Sequence, residues 1–237
     1  MPDTTAKIAF VDGDTKFDEN GVQWIVNPYD EWYALVRALE ITETSGGTVT
    51  VINVGGADSD PVIRKALAIG ATDAVRVDAQ PTEAFFVAKQ IAAYASENGY
   101  DMVLLGKETI DYNGSEVGGM VAEFMDAPFV SLAAKLDVNG GTATIERSIE
   151  GGVETIDVTL PLVASASKGM AEQRIPNMRG IMAARSKPLT VVPAVDVAKV
   201  TSFDTYGLPA AKSSVKLVDP ENVQELVDLL HNEAKAI

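Results

Sequence analysis

There is no cysteine in the chain, and only one histidine, His231. The first absence excludes disulfides, thiolate metal sites and a cysteine nucleophile. The second, with no carboxylate–histidine cluster beside it, gives no pattern for a transition metal. His231 falls in the last apolar-periodic segment, where a solvated face is the better reading. No GxSxG elbow surrounds any serine. Basic residues are also scarce: 19 Lys and Arg stand against 34 Asp and Glu, a formal net charge of −15. Such a surface repels nucleic acid and anionic lipid, so neither is expected as a general partner. Long apolar runs are missing too. Nothing reaches the length of a membrane-spanning helix, and MPDTTAKIAF has no core for a signal peptide. What remains is a 237-residue chain that is 46% hydrophobic, enough for one large domain or two small ones. The expectation is a soluble acidic protein of the cytoplasm, or of the mitochondrial matrix if eukaryotic.

Apolar runs and helical periodicities alternate through about the first 125 residues. KIAFV (7–11) reads as a first strand, followed by the turn DGDTKFDENG. Asn27-Pro28 opens a helix carrying Trp32, Leu35, Val36 and Leu39, with Asp30 and Glu31 in its first turn, and Ser45-Gly46-Gly47 ends it. TVTVINV (48–54) is a β-branched strand closed by Gly55-Gly56. Asp60 to Ile69 is a helix stopped by Gly70, Ala74 to Val77 a strand, Pro81 to Asn98 a helix and Asp101 to Leu105 a strand. This alternation predicts an α/β fold, a Rossmann-like parallel sheet with helices on both faces. From Val130 to Ser167 the pattern changes to short strands separated by Asn-Gly-Gly and Glu-Gly-Gly, an added β-hairpin region. Residues 191–220 carry few core signals, and Glu221 to Ala236 fits a terminal helix. The expected organisation is an α/β domain over 1–190 and a C-terminal arm over 191–237 lying on a partner.

In a parallel sheet, ligands collect at the carboxyl ends of the strands. Three loops leave strands there: the DGD turn after Val11, GGADSD after Val54 and GKETIDYNGSEVGG after Leu105. Glycines allow close backbone approach, and a helix N-terminus offers free N–H groups to phosphate. The stretch Asn113 to Gly119 is therefore a candidate phosphate cradle, with a purely structural turn as the alternative. It is neither a GxxxxGK P-loop nor a GxGxxG fingerprint. Glu108, Asp111 and Glu116 lie close in sequence, but with no histidine or metal motif they receive no acid–base role. A second unusual stretch is KGMAEQRIPNMRGIMAARSK (168–187). It holds Lys168, Arg174, Arg179, Arg185 and Lys187 against the single acid Glu172, together with Met170, Met178 and Met182. A flexible apolar side chain in a basic loop suits docking of an acidic partner. The other reading is a strand-to-helix connection whose methionines are core.

Four segments together resemble the β subunit of electron transfer flavoproteins: VNPYDEWYALVRALE, IRKALAIGATDAVRV, LLGKETIDYNGSEVGGMVAEF and the run from IERSIEGGVETIDV to IMAARSKPL. Their order and spacing agree with that family over residues 7 to 190. The resemblance implies a heterodimer in which an α subunit holds FAD and the β subunit shelters it and buries a structural AMP. It takes electrons from acyl-CoA and related dehydrogenases and passes them, through a quinone oxidoreductase, to the respiratory chain. By that likeness Val11 and Asn27 line the adenosine and Val54 begins another lining loop. Asp111, Asn113, Gly114, Ser115, Glu116, Val117, Gly118, Gly119, Met120 and Val121 form the phosphate loop and helix start, and Tyr29 approaches the flavin. The basic stretch corresponds to the loop that docks dehydrogenases, with Met178 at the anchor position between Arg174 and Arg179. As an electron-carrier subunit the chain needs no catalytic residue of its own, and no metal.

The chain departs from the family pattern in two places. It passes from Val11 straight into DGDTKFDENG where the family has a longer segment after its first strand, so a flavin contact is expected to be missing. The loop DYNGSEVGG replaces a more acidic version. Bifurcating members hold a second FAD where AMP sits, and this chain keeps only Ile110-Asp111 and Val117-Gly118 of their loop, which favours AMP. Two other classes stay open: a stand-alone, universal-stress-like nucleotide module, and an ATP-using enzyme of the same sheet type, for which GGADSD is a poor motif.

Overall fold

The computed structural model describes residues 1–109, 112–212 and 214–237. The parallel strands and flanking helices expected from the alternation are present. β1 (Phe10–Val11) and β2 (Lys16–Phe17) form a small antiparallel ribbon. Then follow α1 (Asp30–Ser45), β3 (Thr50–Val54), α2 (Asp60–Ile69), β4 (Asp73–Asp78), α3 (Ala84–Asn98), β5 (Met102–Gly106) and α4 (Val117–Met125). The hairpin region is β6 (Phe129–Asn139), β7 (Thr142–Ile149) and β8 (Gly152–Thr159), and the chain returns through β9 (Leu162–Ala166), α5 (Met178–Ala184) and β10 (Leu189–Pro193). A last short helix, α6 (Val223–Asp228), runs on into a π-helical turn at Leu229–Glu233.

Two findings differ from the sequence reading. KIAFV is not a strand of the parallel sheet. Asp12, Gly13 and Asp14 all take positive φ, which folds the chain back at once and pairs Phe10 with Phe17 and Val11 with Lys16. The parallel strands also form two sheets rather than one. One has the order β10-β4-β3, all parallel; the other is β5-β9-β6-β7-β8, with β5, β9 and β6 parallel and β6-β7-β8 an antiparallel meander.

Helices cover both faces, and the side chains of alternate strand residues sort between them. On one face α1 packs Leu35, Val36 and Leu39 with Ile63 and Leu67 of α2, Ala74 of β4 and the half-buried Val51 of β3. The same helix sends Ala34 and Ile41 toward Met102 and Leu104 of β5. On the other face Ala88 and Ala92 of α3 and Val121 and Ala122 of α4 pack with Val163 of β9 and with Val103 and Leu105 of β5. Leu67, Leu136, Ile145, Leu162, Val36, Val121 and Val163 are fully enclosed, each contributing about 1.5–3 kcal/mol by burial. No helix among the described residues is long and apolar enough to cross a membrane.

Beyond β10 the described chain has no regular structure until α6, yet its first part is fastened. Gln90 of α3 donates from Nε2 to the carbonyl of Val195 (3.0 Å) and accepts at Oε1 from its amide (2.7 Å). The Glu83 carboxylate accepts from the Val200 amide (2.9 Å) and the Thr201 amide (2.6 Å). Further on, the chain is open: Leu208, Val215, Leu217 and Val223 are all exposed.

Candidate functional site

The carboxyl end of β5 lies beside the start of α1, and the loop after β5 leads into α4. Asn27 ties these parts together. It is buried, its Oδ1 accepts from the Tyr29 amide at 3.3 Å, and its Nδ2 donates to the Glu108 carbonyl at 3.0 Å. The side chain thus fixes the entry to α1 and the exit from β5 in one step. Asp30 follows it: its Oδ2 accepts from the Glu108 amide at 3.4 Å, and burial raises its carboxyl above the ordinary range. Glu31 lies against the end of β5. Burial pushes its pKa up to about 7, and Oε2 has no hydrogen-bond partner. Lys107 is held by Glu108 at 2.8 Å. Burial disfavours the charged form of the Glu31 carboxyl, which is why it takes up its proton at a higher pH than a solvated glutamate.

The loop itself is shaped by two left-handed residues. Asn113 has φ +48° and Ser115 φ +56°, conformations that asparagine tolerates better than most and that turn successive amides to one side. The Asn113 amide donates to the Thr109 carbonyl at 2.8 Å, and Ser115 Oγ to the Lys107 carbonyl at 2.9 Å. Asn113, Gly114, Ser115 and Glu116 are all exposed. Glu116 occupies the N-cap position of α4 and makes no side-chain cap, and no acid lies in the first turn. The amides of the first turn are therefore available to an external acceptor. Met120 already bonds the Glu116 carbonyl, at 3.2 Å, and Val121 is fully buried. Gly114 has open space, its nearest neighbour being the Glu116 carboxyl at 3.8 Å. Gly118 is different: a Cβ there would lie 2.9 Å from the Phe129 ring and 3.2 Å from Leu105. Its glycine is required by helix–sheet packing whether or not a ligand binds.

The other positions expected from the sequence scatter around this centre. Asp111 lies outside the described residues. Tyr29 is 54% exposed at the N-cap of α1. Val54 ends β3, and the turn after it is pinned by Arg76, whose Nη1 donates to the Gly55 carbonyl at 3.0 Å and whose Nε lies 2.9 Å from Asp60. Val11 is exposed on the β1-β2 ribbon, beside Phe10. Phe10 begins a feature with no sequence signal. Its ring stacks on Tyr206 (5.2 Å between centroids), Tyr206 on Phe203 (5.6 Å), and Phe203 meets Tyr112 of the loop at 5.6 Å. Four aromatics from three separate stretches of the sequence link the ribbon, the arm and the loop. Glu83 and Gln90, which hold the arm, had no sequence signal either, because both sit within or beside a helix where a polar residue reads as solvated.

The basic stretch divides in two. Arg174 forms a bidentate pair with Glu43 (2.5 and 2.8 Å), its carbonyl accepts from Trp32 Nε1 at 3.2 Å, and the guanidinium holds the Glu43 carboxyl below its usual range. Lys187 Nζ donates to the carbonyls of Leu67, Gly70 and Ala71, closing the end of α2. Between these anchors Asn177 caps α5 by accepting from the Gly180 amide at 2.9 Å. Arg179 is exposed, as are Met178 (73%) and Ile175 (87%), with Met182 and Ile181 beside them. Met170 alone of the three methionines is core, at 5%.

Among known proteins, the electron transfer flavoprotein domain matches residues 14–197. The electron transfer flavoprotein subunit beta of Bacillus subtilis (strain 168) is 36% identical, over 99% of this chain and 96% of its own length. That of Syntrophomonas wolfei is 34% identical, over 98% and 93%. The mitochondrial subunit beta of Oryza sativa subsp. japonica is 32% identical, over 94% and 91%. With the α/β architecture and the loop geometry already in place, these matches identify the chain as a member of the electron transfer flavoprotein family, among its β subunits.

Proposed function

We propose that the chain pairs with an α subunit and shelters the FAD that the partner mainly holds. In that complex it accepts electrons from dehydrogenases such as acyl-CoA dehydrogenases and delivers them, through a quinone oxidoreductase, to the respiratory chain, in the cytoplasm or the mitochondrial matrix. A structural AMP sits at the carboxyl end of β5, and the chain carries no catalytic group. The observation that carries the nucleotide reading is the junction of Asn113–Glu116 with α4. Left-handed backbone at Asn113 and Ser115, an uncapped helix start and the open space at Gly114 fit a phosphate group. The partner reading rests on the arm, where Val215, Leu217, Val223, Leu226 and Val227 are exposed. The division of labour follows: residues 1–190 bind the nucleotide and residues 191–237 pack on the α subunit. Arg174 supports the docking loop, while Met178 and Arg179 meet the dehydrogenase.

The test is co-expression with the adjacent α-type gene. The expected product is a yellow complex that releases one FAD and one AMP per heterodimer on heating. Two FAD and no AMP would replace this reading with the bifurcating type. A colourless monomer that retains nucleotide would replace it with a stand-alone nucleotide module.

A further inference from the structure

Past β10 the chain does not leave the body of the protein at once. It starts from Pro193, which pairs with Asp78 at the carboxyl ends of β10 and β4. Val195 is then joined by two hydrogen bonds to Gln90 of α3. Val200 and Thr201 reach Glu83, at the N-cap position of the same helix. The Glu83 side chain makes no cap for α3. Its buried carboxylate accepts instead from the amides of Val200 and Thr201 and from the Thr201 hydroxyl, the last at 2.5 Å. Burying a carboxylate is costly unless hydrogen bonds satisfy it, and here residues 200 and 201 supply three of them. This is a built attachment.

The segment then ends on aromatic rings. Phe203 lies against Tyr112 with 43° between the ring planes and against Tyr206 with 22°, and Tyr206 stacks on Phe10 at 17°. The Tyr206 amide donates to the Asp14 carbonyl at 2.8 Å. Residues 195–206 are thereby fixed by α3 at one end and by the β1-β2 ribbon at the other, and between those points they touch the loop after β5. β10 belongs to one sheet and β5 to the other. The segment crosses from the first to the second on the carboxyl side, where ligands of parallel sheets collect.

The loop needs a hold of this kind. Tyr112 directly precedes Asn113, whose φ of +48° is followed two residues on by +56° at Ser115. Left-handed backbone is unfavourable for residues with a side chain and persists where the surroundings over-determine it. The bonds from the Asn113 amide to Thr109 and from Ser115 Oγ to Lys107 lie within the loop and move with it. Phe203 meets the loop from outside. Its hold is also reversible: Phe203 and Tyr112 are both exposed, and an aromatic pair shifts an equilibrium by roughly two- to tenfold. That biases a loop without locking it.

We propose that residues 195–206 form a strap over the candidate nucleotide loop, with Phe203 as its positioning residue. The Phe203 ring keeps Tyr112, and with it the left-handed turn at Asn113 and Ser115, in the shape that receives the phosphate of a nucleoside monophosphate, and it lifts off when the nucleotide exchanges. The inference rests on the nucleotide reading of that loop. Two measurements on the 237-residue chain test it: hydrogen exchange of the Asn113 amide without nucleotide, and release of fluorescently labelled AMP chased with unlabelled AMP. Phe203→Ala should leave the melting temperature unchanged, since the ring is exposed, and should speed exchange and release by about 3- to 10-fold each. Phe203→Tyr should keep both at native values, because it keeps the ring. Native exchange of the Asn113 amide in Phe203→Ala overturns the strap. Faster exchange with native release overturns its role at the site. A native chain that takes up no labelled AMP removes the nucleotide reading and that role together; the Asn113 exchange, which needs no nucleotide, tells this failure from failure of the strap.

Discussion

A Cβ on Gly106 would lie 2.5 Å from the carboxyl carbon of Glu31; the acid of α1 occupies the place of the side chain that β5 lacks at its end. Glu31 is consequently buried and its pKa is raised to about 7. The unfolded chain releases this proton near 4.5, so between those values the folded state binds more protons and stability falls as pH rises. The group contributes most below pH 4.5, and the penalty is complete above about pH 7. Glu31→Gln removes the titration. Its melting temperature should exceed that of the native chain at pH 8 and draw level at pH 4.5, the gain in stability at pH 8 being up to about 3 kcal/mol. Equal melting curves at both pH values would place the carboxyl in water.

Two glycines separate ligand from packing. The atoms nearest a Cβ on Gly114 belong to the Glu116 side chain, the first at 3.8 Å, whereas a Cβ on Gly118 meets Phe129 and Leu105. Gly114→Val should leave the melting temperature of the nucleotide-free protein unchanged and remove AMP from the purified complex. Gly118→Ala should cost about 1–3 kcal/mol even without nucleotide. Chromatography of heat-released nucleotide, with calorimetry of the stripped proteins, measures both. Retention of AMP by Gly114→Val would take the loop out of the site.

Glu83 decides how firmly the arm is attached. The Thr201 hydroxyl, with the amides of Val200 and Thr201, holds its carboxyl below the ordinary range. A depressed folded value means the attachment is present above the unfolded pKa and is lost as pH falls through the folded one. Glu83→Ala should therefore speed proteolytic cleavage around residues 195–205 at pH 7, while the body of the protein melts as before. Acidifying the native chain should speed cleavage in the same place. Cleavage rates indifferent to both changes would mean that the Gln90–Val195 pair holds the arm alone.

What could be read from the residues is the part governed by local rules. Asn27-Pro28 and Gly70 mark where α1 begins and α2 ends, because capping and glycine geometry act within one turn. The Asn-Gly-Gly and Glu-Gly-Gly turns announce β6-β7-β8 for the same reason. KIAFV misleads because an apolar run does not say which sheet it joins; the positive φ at Asp12, Gly13 and Asp14 settles that. The loop after Leu105 is visible as glycine and small polar residues, but Gly118 looks like Gly114 until Phe129 is placed against it. Contacts across long separations have no local signal at all. Glu83 with Thr201, Phe10 with Tyr206 and Arg174 with Glu43 exist only after the sheets have formed.

The basic stretch offers the sharpest separation of roles, because its methionines have opposite surroundings. Met170 is buried in the cluster of Ala133, Leu136 and Ile145, so Met170→Ala should cost about 2–5 kcal/mol. Met178 is 73% exposed on the first turn of α5; with so little to lose, Met178→Ala should change stability by less than about 0.5 kcal/mol. If Met178 inserts into a dehydrogenase pocket, that variant should slow electron transfer from an acyl-CoA dehydrogenase about tenfold or more, since a central apolar anchor carries much of an interface's energy. Raising the salt concentration should leave the fold-change intact, because apolar insertion is not screened. Arg179→Ala should behave oppositely: its loss should be clear at low salt and fade near 0.15 M, where the Debye length is about 8 Å. Arg174→Ala belongs to neither class. It breaks the pair with Glu43, so its effect on transfer should come with a lower melting temperature. Stopped-flow transfer rates across a salt series, beside melting curves for all four variants, measure each outcome. Normal transfer by Met178→Ala would move the docking surface off α5.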